Sequence, residues 1–197
     1  MAARPVYADG PLSDGGRYCP RECISVCACY ADGLAREYDV DREELRAYAQ
    51  ANCRGLHGIA RAFGVFEHMD GRSDNGGESE ARAAMILAGV VAPELQVEIA
   101  RPGNAGYYLA DYGWRMPDGS WMLAELHGLG KFEDETQKDL EHAAAKTYRA
   151  ALLRDANLRA MGHNVIHFKL SDTYDVEEFG AMMRGYGIPT TKPFADS

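Results

Sequence analysis

No apolar run in this 197-residue chain approaches the ~18 residues that a bilayer-spanning helix needs, so a membrane span is not expected. The first stretch, residues 1–14, lacks the basic lead and apolar core of a secretion signal and carries Asp9 and Asp14 instead. A soluble, cytoplasmic protein is the expectation. Basic excess is missing too. The net charge is −9, and none of the stretches 1–70, 71–170 and 171–197 has more Lys and Arg than Asp and Glu. That excludes a uniformly basic nucleic-acid surface and leaves only a local patch. Paired cysteines are likewise absent as a pattern. The five cysteines are odd in number and follow no secretion signal, which argues against a disulfide framework.

What is present is an ordinary globular balance: 46% hydrophobic and 26% charged residues, which argues against long disorder. Four of the cysteines, Cys19, Cys23, Cys27 and Cys29, crowd one short stretch, with Cys53 apart. The first three are four apart and share one helix face. Zinc sites favour two-residue knuckles and a second ligand pair, so these thiols read as small reduced residues packed in the helices.

The pattern predicts three helices first: one from Pro20 to about residue 38, one from Asp41 with a capping box to Glu44, and one over 56–69. A Gly- and Asp-rich break at 70–77 separates a helical region, 1–70, from a second domain, 71–188, with a tail from 189. Within 71–188 the patterning gives a helix over 78–88, strands over 95–99, 106–115 and 120–127, a long helix over 133–161, a strand over 163–170 and a helix capped by Asp175. The order αβββαβα predicts an α/β (α+β) fold with a small mixed sheet flanked by helices.

The MPDG run at 116–119 is a strong turn signal between two strands. If it centres on Asp118, then Asp111 and Glu125 face each other across two antiparallel strands. Facing like charges are destabilising unless a cation lies between them, and Mg2+ or Mn2+ takes such oxygens. His127 shares a strand face with Glu125, and Lys131 follows a flexible GLG stretch. A cation there stabilises charge developing on a phosphate. A register slip of one residue would instead send one carboxylate to the other face.

Several segments then fall in a familiar order: ESEAR (78–82), PELQV (93–97), ADYGW (110–114), ELHGLGKF (125–132), and RDANLRAMG (154–162) leading into VIHF (165–168). This order resembles bacterial endonuclease-like domains similar to the very-short-patch-repair endonucleases, of the PD-(D/E)xK superfamily. Their pattern runs E-S-x-x-R, P-x-x-Q, D-F-x-W, E-x-D-G-x-x-K-Y and R-E-x-x-L-x-x-x-G-x-x-V. Some relatives are antitoxin-like or abortive-infection-associated. The resemblance implies a restriction-endonuclease-like fold and a site of Glu78, Asp111, Glu125 and Lys131, with Asp111 and Glu125 on the metal. The chain departs from the pattern at His127 and Asp155, where the family has Asp and Glu, and at Asn157, where it has a basic residue.

On the long helix Lys138, His142, Lys146 and Arg149 share one face. They form either a patch for a DNA backbone or an ordinary solvated face. Tyr107, Tyr108, Tyr112, Trp114 and Trp121 gather on the hairpin, as bases' stacking partners or as core. The expectation is a Mg2+- or Mn2+-dependent deoxyribonuclease. Its rival is the same fold with a degraded site, binding a protein partner through the N-terminal helices.

Overall fold

The computed structural model describes residues 20–56, 59–127 and 137–191, with side chains left undescribed at 20–23, 104 and 137–147. Among these, the helices are α1 (Pro20–Tyr38), α2 (Arg42–Asn52), α3 (Ile59–Glu67), α4 (Gly76–Leu87), α5 (Gln137–Ala160) and α6 (Val176–Gly185). The strands are β1 (Glu94–Ala100), β2 (Tyr107–Arg115), β3 (Trp121–His127) and β4 (Asn164–Lys169). They form one mixed sheet in the order β1-β2-β3-β4, antiparallel except for the parallel β3–β4 pair. Parallel neighbours need a crossover, and α5 supplies it. No helix of the described residues is long and apolar enough to cross a membrane.

Local chemistry sets the element ends. Asp41 accepts from the Glu44 N–H while Glu44 reaches back to the Asp41 N–H, a complete capping box. Asp175 caps α6 through the N–H groups of Glu177 and Glu178. The β2–β3 turn closes through the Gly119 N–H to the Met116 carbonyl, with Gly119 at φ 86°, where a Cβ would strain the backbone.

Both faces of the sheet are covered. Tyr112, Trp114, Met122, Ala124, Ile166 and Phe168 pack beneath α4 and α6. Val97, Ile99, Tyr108, Ala110, Leu123 and Val165 pack on the opposite face with Leu158 of α5. Of the two alternatives for the hairpin aromatics, Tyr108, Tyr112, Trp114 and Trp121 take the core one, and Tyr107 stays exposed. Apolar area on a doubly covered sheet has no other low-energy place to go.

The N-terminal helices dock onto α4. Asp32 of α1 is fully buried and accepts both from Arg82 Nη2 of α4, at 2.6 and 2.7 Å, and from the Asp70 N–H. Ile24 and Ala31 face the same way. Cys27 lies off this inward stripe and is exposed, contrary to the packed position expected for it; Cys29 and Cys53 are half-buried. None of these three is in a disulfide. Burial first, and then the charges of Glu80 and Asp32, raise the Cys29 thiol to about 11, which makes it a poor nucleophile. Cys19 and the Cys23 side chain lie outside the described residues.

Candidate active site

The hairpin register pairs Tyr112 with Ala124 and Gly113 with Leu123, so the next step outward sets Asp111 opposite Glu125. On the far side of β2, the pairs Leu95–Tyr112 and Val97–Ala110 leave Gln96 facing Asp111. On the far side of β3, Glu125 pairs with His167 of β4. Gln96, Asp111, Glu125 and His167 thus form one row across the sheet.

A regular strand would send residues 95 and 97 to the same side. Here Leu95 packs under α4 and α6, while Val97 packs under α5. The reversal occurs at Gln96, whose φ of 51° is left-handed and unfavourable for a residue with a Cβ. On β2 the same change of side falls at Asp111, between Ala110 and Tyr112. The sheet is therefore wrung at the row that carries the polar groups, where backbone strain often collects at sites.

Glu78 arrives from α4. Its backbone N–H donates to Asn75, the helix cap, and its own carboxylate accepts from the Asp74 N–H at 2.8 Å and the Asn75 amide at 2.6 Å. Gln96 Nε2 donates to it at 3.2 Å, joining helix to sheet row. Tyr112 donates its hydroxyl to the Glu78 carbonyl at 2.9 Å and locks the first turn of α4 onto β2. Burial raises the Glu78 pKa, with the charges of Asp111 and Asp74 adding to it against the Asp74 N–H.

Asp111 accepts the Leu126 N–H at 2.8 Å. Desolvation still raises its pKa, outweighing that bond and the Arg154 charge. Glu125 is pushed up to about 7, first by burial and then by Asp111, although Arg154 pulls the other way. Arg154 of α5 forms an ion pair with Glu125 Oε1. Burial is the larger cause for both carboxyls, and the Asp111 charge makes ionising Glu125 more expensive still.

His127 stacks on His167, ring centroids 4.8 Å apart and planes 13° from parallel. His167 Nε2 meets Asp155 Oδ2 at 2.7 Å. Desolvation, then His167, lowers the His127 pKa, which favours its neutral form near neutral pH. His127 and Glu78 also line one cavity of about 390 Å3.

Four of the expected site residues, Glu78, Asp111, Glu125 and His127, therefore meet around one end of the sheet. Lys131 lies outside the described residues, as do the side chains of Lys138, His142 and Lys146; Arg149 is exposed on α5. Sequence reasoning gave no role to Gln96, Arg154, Asp155, His167 or Lys169. The signal for the last two was the strand parity of β4, which matches His167 to Glu125 and Lys169 to His127 once the strands run parallel. Among the described residues, no group of three or more His, Cys, Asp or Glu is arranged to hold a metal ion.

No protein-family model matches the chain, and no curated protein or solved structure matches it.

Proposed function

We propose that this protein hydrolyses DNA phosphodiester bonds in the cytoplasm with Mg2+ or Mn2+, as a restriction-endonuclease-like nuclease. The observation that carries the reading is that Asp111, next to the Tyr112–Ala124 pair, takes the Leu126 N–H and lies close enough to Glu125 to raise its pKa, with Glu78 joined to it through Gln96. A strand order with β4 parallel to β3, preceded by α4, supports it as well.

The donor chemistry fits a hard divalent cation. Asp111 commits one oxygen to the Leu126 N–H and Glu125 one to Arg154, which leaves an oxygen on each. Mg2+ needs only one or two carboxylates, with water completing its shell. When bound, such an ion supplies Lewis-acid polarisation of the phosphate and relief of the Asp111–Glu125 repulsion. Glu78, with its raised pKa, orients the attacking water. His127, neutral near pH 7, accepts a proton, and its ring is held flat against His167. Lys131 remains the proposed cation for the departing charge, and Lys138, Lys146 and Arg149 the proposed backbone contacts.

The Arg154–Glu125 ion pair favours a second reading. A guanidinium beside Glu125 neutralises it without metal, as in a nuclease-fold module that binds a partner and cuts nothing. Plasmid nicking in Mn2+ separates the two. The nuclease reading expects nicking by the wild type and loss of it in Asp111→Ala. Equal inactivity of both proteins leaves the binding module as the better account.

A further inference from the structure

The cavity beside Glu78 opens between the first turn of α4, the C-terminal ends of β3 and β4, and the short 3-10 turn at Leu170–Thr173. Leu126 and Leu170, half-buried and packed on the core, make an apolar floor. His127, Lys169, Ser171 and Tyr174 are exposed and make the rim. Tyr174 is 70% exposed, a large ring left in water at the mouth of an apolar hollow. The Asp172 carboxylate is turned to the Lys169 backbone N–H at 2.8 Å, so it serves the turn. Lys169 and His127 are then the basic groups that line the cavity, in a chain of net charge −9.

Ligand pockets run from roughly 300 to 1,000 Å3, so about 390 Å3 suits one flat, ring-sized group and excludes a duplex. An apolar floor, an exposed aromatic and an adjacent amine match the two halves of a nucleotide. A base has an apolar face that stacks whatever its identity, and its phosphate wants a cation. A base inside a duplex cannot reach such a hollow without leaving the stack.

We propose that this cavity receives one unpaired nucleotide of single-stranded DNA. Its base lies over Leu126 and Leu170 against Tyr174, and its phosphate lies beside Lys169. The inference rests on the nuclease reading and names the substrate of that site as single-stranded or locally unpaired DNA. It also gives Lys169 and Tyr174 roles in binding.

Fluorescence anisotropy tests it in EDTA, where hydrolysis plays no part. The probe is fluorescein-labelled oligo(dT) of about twelve nucleotides at roughly 50 mM salt, against the same strand annealed to oligo(dA). The single strand should bind at least about tenfold tighter than the duplex. Tyr174→Ala and Lys169→Ala should each weaken it by about tenfold, and Tyr174→Phe and Lys169→Arg should restore most of the affinity. Both side chains are exposed, so the melting temperatures should match the wild type. Equal affinity for single strand and duplex, no binding of oligo(dT), or an unchanged Tyr174→Ala affinity overturns the proposal. Tyrosine-dependent binding without cleavage of either oligo(dT) or plasmid in Mn2+ keeps the cavity assignment and removes the nuclease reading, so the two fail separately.

Discussion

Glu125→Gln gives the sharpest test of the acid pair. In the folded protein the Glu125 pKa is raised from 4.5 to about 7, by burial first and Asp111 second. Between those values the folded state holds a proton that the unfolded chain has already released. The wild type therefore loses stability as pH rises through that window. At 1.36 kcal/mol per unit the loss amounts to roughly 3 kcal/mol, complete once pH exceeds the folded value. Glutamine cannot ionise, so the variant lacks this slope. Contributions from Asp111 and Glu78 are largely common to both proteins. Arg154 loses its partner in the variant, but its side chain is 25% exposed and reaches water. Urea unfolding from about pH 5 to about pH 8 measures the difference. Relative to wild type, Glu125→Gln should gain roughly 3 kcal/mol across that range. A difference that stays flat within about 0.5 kcal/mol would mean that Glu125 ionises freely, and its burial beside Asp111 would not hold its proton.

Divalent metal should reverse the same penalty. Mn2+ at about 100 times its dissociation constant should add about 2.7 kcal/mol to the wild type, and Asp111→Asn should blunt the rise in melting temperature. Asp32→Ala leaves buried Arg82 without its carboxylate and should cost about 3–5 kcal/mol in urea unfolding. Gln96→Val forces a β-branched residue to φ 51° and removes the Glu78 bond; it should destabilise by about 2 kcal/mol or more, while Gln96→Gly should lie much closer to wild type. Gly113→Ala puts a Cβ 2.9 Å from Val97 Cγ2 and 3.1 Å from Trp121 Cε3, and should cost about 1–3 kcal/mol by overpacking. Circular-dichroism melts are enough to check both of these last changes.

Much of this architecture was legible because its signals are local. The MPDG turn fixes the hairpin centre, and strand parity then carries Asp111 to its place opposite Glu125. The capping residues Asp41 and Asp175 mark their helices, and the crossover length of α5 implies a parallel strand after it. The wringing of the sheet at Gln96 was not legible. Residues 95–99 alternate as any half-buried strand does, yet both faces are covered, so alternation hides the change of side. Arg154 with Glu125, and Asp155 with His167, were hidden for another reason. They depend on which face of α5 lies over the sheet, and that is decided by the packing of Leu158 on residues far back in the chain such as Val97 and Ile99.

The N-terminal helices are tied mechanically to the site. Asp32 holds Arg82 of α4 and the Asp70 N–H, and Arg36 Nη1 donates to the Ser73 carbonyl at 2.8 Å. These bonds pin the segment 70–73, which runs directly into Asp74 and Asn75. Those two residues are the groups that orient Glu78, through an N–H, a side-chain amide and the helix cap. A charge buried in α1 thus reaches a carboxylate at the cavity through one short stretch of fixed backbone. Loosening that stretch would free Glu78 to rotate away from Gln96 while leaving Asp111 and Glu125 where the hairpin holds them. Asp32→Asn, which keeps the side-chain volume, should therefore damage the Glu78 part of the site more than the acid pair. Hydrogen exchange should report faster exchange of the Asp74 and Glu78 amides with the Leu126 amide unchanged. Equal protection of all three would mean that α1 stabilises the fold without positioning the site.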